Sequence, residues 1–146
     1  MRRALRAGAV GLVVGLATAG CSGVGSDSPA PEVSVSDSDG SLVVGEGSTL
    51  PASWPTDIPA PEGLLLQSVI DSGPTATALY LGRGNAALIG QDVARELSEN
   101  GYSAQGTTTE GFETTTTYTK GSTSVAVAVS QTGTDASITM TVTRAP

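Results

Sequence analysis

The segment LGRGNAALIG, residues 81–90, is the one stretch of this chain whose spacing imitates an enzyme motif. Gly82, Gly84 and Ala87 stand at the G-x-G-x-x-A spacing of a dinucleotide loop, in which glycines let backbone amides approach a pyrophosphate at the start of a helix. An apolar strand pattern precedes the segment and a helical pattern follows it, so the immediate setting fits. The wider setting does not, because a dinucleotide fold needs a parallel sheet of strand-helix-strand units and an acidic residue about 20 positions on. That position falls at Tyr102 and Ser103. The glycines are therefore read as a sharp passage from strand to helix, with Arg83 in solvent and offering at most a small-anion contact.

The chain has no histidine and a single cysteine, Cys21. General acid-base and nucleophilic catalysis near neutral pH lack their usual agents. Transition metals lack soft ligands, and no G-x-S-x-G, S-x-x-K, H-E-x-x-H or C-x-x-C pattern occurs. Asp92, Glu96 and Glu99 fall on the charged face of a helix, where such residues serve solubility. In SDSDGS, Asp37, Asp39, Gly40 and Glu46 take positions three, five, six and twelve of a calcium loop. Val35 then occupies the first ligand position, which needs an oxygen, so the segment reads as an acidic turn. No catalytic, cofactor or metal site is expected.

At the amino end, Arg2, Arg3 and Arg6 precede an apolar run from Ala7 to Ala19, and small residues lead up to Cys21. This is the three-part build of an export signal. The run is shorter than the 20 or so residues of a membrane-crossing helix. TAGC, residues 18–21, resembles the lipobox of bacterial lipoproteins: Ala19, Gly20 and Cys21 fit the pattern, and Thr18 stands where that family most often has Leu. The resemblance covers the first 21 residues. It implies removal of residues 1–20 and lipidation of Cys21 by a thioether diacylglycerol, with an amide-linked third acyl chain in many bacteria. Two or more such chains give a stable membrane attachment. Richness in Ala, Gly and Thr suits a high-GC Gram-positive source.

Removal of the signal leaves four basic residues (Arg83, Arg95, Lys120, Arg144) against fourteen acidic ones, a net charge of −10. Nucleic acid is excluded as a partner, since it is bound through a basic surface. A broad electrostatic contact with anionic headgroups is disfavoured too. Residues 21–52, rich in Ser, Gly, Pro and Asp, are read as the lipidated cysteine and a flexible tether with a span of about 30 Å. Within it, EVSV and SLVV flank Asp39-Gly40 and could pair as a hairpin that is marginal by itself.

A globular domain is expected over 53–146. Its entry, SWPTDIPAPEG, is stiffened by Pro55, Pro59 and Pro61 and pinned by Trp54 and Ile58. Trp54-Pro55 with the spaced prolines and Glu62-Gly63 resembles the entry to small uncharacterised domains of other envelope lipoproteins and implies no activity. LLLQSVI (64–70) and ATALYLG (76–82) read as strands joined by a Gly-Pro turn. Residues 86–101 carry Ile89, Val93 and Leu97 at helical spacing, with Asn85 as N-cap and Asn100-Gly101-Tyr102 as the stop. Four alternating segments follow, broken at Glu110-Gly111, Lys120-Gly121 and Thr132-Gly133. The expected fold is α+β in two layers: an antiparallel sheet of about six strands, in the order ββαββββ, with one helix packed on one face.

These readings point to a membrane-anchored envelope lipoprotein, monomeric, whose head is a non-catalytic interaction module. Its partner would be an envelope protein or the cell wall, met through the Thr-rich strand face or an open edge strand. The alternative is a carrier of small apolar ligands or lipid in a cavity between helix and sheet. Small side chains (Ala86, Gly90, Ala94, Ala126, Ala128) suit either a cavity or close packing there.

Overall fold

Glycine at the first position of a two-residue turn sets most of the strand connections. Gly73, Gly111, Gly121 and Gly133 have φ of +70°, +59°, +57° and +61°, a backbone that matches the twist of antiparallel strands and that side chains disfavour. In the computed structural model, which describes residues 33–37, 40–45 and 48–145, the elements run ββββαββββ. They are β1 (Val33–Asp37), β2 (Gly40–Val44), β3 (Leu65–Ser72), β4 (Thr75–Arg83), α1 (Ala86–Glu99), β5 (Ser103–Glu110), β6 (Glu113–Lys120), β7 (Thr123–Thr132) and β8 (Asp135–Arg144).

All eight strands form one antiparallel sheet in the order β1-β2-β3-β4-β8-β7-β6-β5. The α+β class and the single helix agree with expectation, whereas six strands become eight. The two additional strands are the EVSV/SLVV hairpin assigned above to the tether. It does not stand alone: Val43 pairs with Val69 and Leu42 with Ile70, so β3 gains a ladder partner in place of an open edge. Gly45 N–H donates to Gln67 O at 2.9 Å, and Ser48 Oγ donates to Gly45 O at 2.8 Å, fixing the hairpin's exit. Residues 33–37 and 40–44 thus belong to the sheet. The signal segment 1–20 and Cys21 lie outside the described residues.

The core lies between the sheet and a layer made of α1 and residues 48–64. On β8 the side chains of Ala136, Ile138, Met140 and Val142 are buried, facing Val125 and Val127 of β7 and Ala76, Ala78 and Tyr80 of β4. This is the alternation a half-buried strand requires. Trp54 and Ile58 are buried as expected. The proline-stiffened entry is folded rather than extended: Pro51 O accepts from Trp54 N–H at 2.8 Å and Pro55 O from Ile58 N–H at 3.2 Å, giving two turns.

At the start of α1, Asn85 Oδ1 accepts from Leu88 N–H at 3.1 Å. At its end, Tyr102 N–H donates to Leu97 O at 2.9 Å and Gly101 N–H to Ser98 O at 3.0 Å, with Gly101 at φ +87°. That pair of bonds is a Schellman stop, and it buries Tyr102 in the core.

Candidate functional site

Val93 and Leu97 seat α1 on β7 and β8, while Ala86, Gly90 and Ala94 form a strip of small residues one turn apart along its side. A Cβ built on Gly90 would lie 2.9 Å from Val129 Cγ2. Glycine therefore sets how near the helix comes to β7. So seated, α1 leaves part of the inward face of β6 uncovered.

The uncovered face and the side of the helix enclose a groove of about 370 Å³. Val127 and Val129 line it with Gly90 and Ala94, and Thr114, Thr116 and Tyr118 of β6 form its far wall. Phe112, in the two-residue turn between β5 and β6, stands at its mouth and is 93% exposed. No charged side chain lines the groove. Two hydroxyl pairs continue the wall toward the sheet edge, Thr107 with Thr116 at 2.9 Å and Thr109 with Thr114 at 3.3 Å. Every residue of β5 is exposed, and among the described residues no strand pairs with its outer edge. Desolvation raises the pKa of Tyr118, opposed by its hydrogen bond with Thr116.

The glycine segment is a structural joint. Gly84 N–H donates to Thr134 O at 3.1 Å. Gln131 spans the joint, its Oε1 accepting from Ala86 N–H at 2.7 Å and its Nε2 donating to Gly84 O at 3.0 Å and Gly133 O at 3.1 Å. The Ala86 and Leu88 amides that a phosphate would need are thus already bonded to Gln131 and Asn85. With every strand pair antiparallel, this arrangement speaks against both a nucleotide and an anion at Arg83. In the acidic SDSDGS segment, Asp39 and Glu46 lie outside the described residues. Among the described residues no group of three or more metal-capable side chains occurs, and no helix is long and apolar enough to cross a membrane.

Charged chemistry gathers instead around Asp57, in the proline-rich entry. Its carboxylate accepts from Lys120 Nζ at 2.6 Å and from Tyr102 Oη at 3.2 Å. Lys120 also lies 5.3 Å from the centre of the Tyr102 ring. The hydrogen bond from Lys120 is the chief reason that the Asp57 carboxyl titrates below its ordinary value. Burial, then the Asp57 charge, pushes the Tyr102 hydroxyl up to about 12. Asn100 Nδ2 donates to Asp57 O at 2.8 Å. The cluster clasps the entry to the end of α1 and the β6–β7 turn, and it is too exposed and too fully paired to act as a proton-transfer centre.

Of the small residues expected between helix and sheet, Ala86, Gly90 and Ala94 are there. Ala126 and Ala128 point to the other face, as their register opposite Thr141 and Thr139 requires. Phe112 and the Asp57 clasp were not singled out from sequence. The signal for Phe112 was present in EGFE, a large aromatic inside a turn between two threonine-rich strands. No protein family, curated protein or solved structure matches this chain.

Proposed function

We propose that this chain is a lipid-anchored envelope protein, held through acylated Cys21, whose head is a non-catalytic binding module. The observation that carries the binding role is the uncharged groove between α1 and β6, with Phe112 projecting at its mouth beside the open edge of β5. Exposed aromatics anchor interfaces because they bury large area at small entropic cost. Threonine hydroxyls and a free strand edge supply hydrogen bonds to an extended partner. The partner is then neutral, presenting an apolar side chain or ring to Phe112 and polar groups to the threonines. The lipobox supports the anchor, and the lack of histidine and of any second cysteine supports a non-catalytic role.

The test is photocrosslinking in intact cells with benzoylphenylalanine at position 112, compared with position 75 on the opposite side of the sheet. Adducts at 112 that disappear when Ala94→Trp fills the groove support the module. Adducts at 112 that survive groove filling refute it. The groove's apolar floor, Val127 and Val129, also favours the second reading, a carrier of small apolar ligands. Native mass spectrometry separates the two readings: co-purifying lipid favours the carrier, and a bare mass favours the module.

A further inference from the structure

The sheet face opposite α1 is divided by chemistry. Across β8, β7 and β6 it carries Thr, Ser and Ala, with Glu113 and Asp135 at the strand starts. Across β1 to β4 the register aligns aliphatic side chains in adjoining rows: Val33 with Val44, then Ser68 and Leu79; Val35 with Leu42 and Ile70; and Leu65 with Leu81. Leu79 is half-buried, and the other seven are each between 36% and 59% exposed. No charged residue interrupts these rows. A contiguous aliphatic surface of this kind marks a contact.

We infer that this face of β1–β4 lies against the lipid surface to which the chain is anchored, which turns α1 and the groove toward the envelope. The inference rests on the reading of Cys21 as the acylated residue. Val33 opens β1 at the edge of the patch and is twelve positions after Cys21. Twelve residues reach at most about 40 Å when fully extended. The patch is therefore held close to the bilayer at high effective concentration, so its own affinity need only be small.

The acidic residues of the helix lie away from this face, while Glu113 and Asp135 stand on it outside the aliphatic rows. Asp92, Glu96 and Glu99 are carried by α1 on the other side of the sheet, beyond a helix diameter of about 10 Å. That is about one Debye length at physiological salt, so repulsion from anionic headgroups is largely screened.

The acylated full chain, reconstituted in vesicles of phosphatidylcholine and phosphatidylglycerol at 3:1, provides the test. A nitrobenzoxadiazole probe is attached through Val35→Cys or, on the helix, through Glu96→Cys. Cys21 is consumed in its thioether, so the label is unique. Quenching by lipids bearing a spin label near the headgroup should be several-fold greater at 35 than at 96. It should fall to the level at 96 when Leu42→Ser and Ile70→Ser are added, with the thermal midpoint unchanged. Equal quenching at both positions, with the chain still acylated and floating with the vesicles, overturns the inference and leaves the anchor standing. Shielding at 35 that grows with protein density and is insensitive to the quencher assigns the face to a second copy and also overturns it. Failure to find acyl mass on Cys21 removes the anchor and the inference together.

Discussion

Replacing Gly90 by alanine sets two effects of opposite sign against each other. In the interior of a helix, alanine is favoured over glycine by about 1 kcal/mol. At this position the new Cβ would stand 2.9 Å from Val129 Cγ2 and 3.4 Å from Cγ1. Val129 cannot yield easily, because it is β-branched and its strand is paired on both sides, with Thr114 and Ile138 opposite it. Turning its χ1 off a minimum costs about 0.5–1.5 kcal/mol, and lifting the helix costs roughly 1–3 kcal/mol of packing. Gly90→Ala is therefore expected to destabilise by about 1 kcal/mol net, a fall of several degrees in Tm. In a Val129→Ala background the obstruction is gone, and the same substitution should stabilise by about 1 kcal/mol, giving a coupling of about 2 kcal/mol. Urea unfolding of the four proteins, followed by circular dichroism with the m-value checked for constancy, measures it. Equal stabilisation in both backgrounds would refute the seating of α1 on β7, and with it the described width of the groove.

Val93 is buried on the sheet-facing side of α1, so Val93→Asp should abolish the cooperative thermal transition, since an unpaired buried charge costs several kcal/mol. Glu96→Lys, on the half-exposed flank of the same helix, should move the midpoint by no more than about 0.5 kcal/mol equivalent. The lowered pKa of Asp57, caused first by the hydrogen bond from Lys120, gives stability that is present above 3.8 and lost as pH falls through the folded value. Asp57→Asn should thus cost at most about 1 kcal/mol at pH 6, the pair being partly exposed. Urea midpoints across pH 3–6 should show that difference closing on the acid side. At the alkaline end, Tyr80 and Tyr102 titrate at about 12, Tyr80 because of burial and Tyr102 because of burial first and Asp57 second. Their contribution holds below pH 10 and declines as pH rises through 12, and phenolate absorbance should show Asp57→Asn lowering the Tyr102 midpoint.

What could be read from sequence was local. Asn85, Gly101 and Tyr102 act within one turn of the helix ends, and the alternation of β7 and β8 states directly which side chains are buried. The β1–β2 hairpin was discounted because its own contacts cannot hold it. Its stability comes from β3, more than twenty residues further along, which no local pattern reveals. Asp57 and Lys120 are 63 positions apart, and nothing in either neighbourhood announces the other. The groove was foreseen only as a space between helix and sheet. Its position over β6 follows from where Gly90 lets the helix rest, a distance that composition does not encode.

The seam between β4 and β8 has a consequence for biogenesis. The first four strands and the last four are each simple meanders, and along the sheet they meet only where β4 pairs with β8, the last strand to be delivered. Ile138, Met140 and Val142, all on β8, supply the centre of the interior. A chain made amino end first therefore cannot complete this sheet until β8 is available to pair with β4. Until then neither meander has the partner strand that joins the two halves of the core.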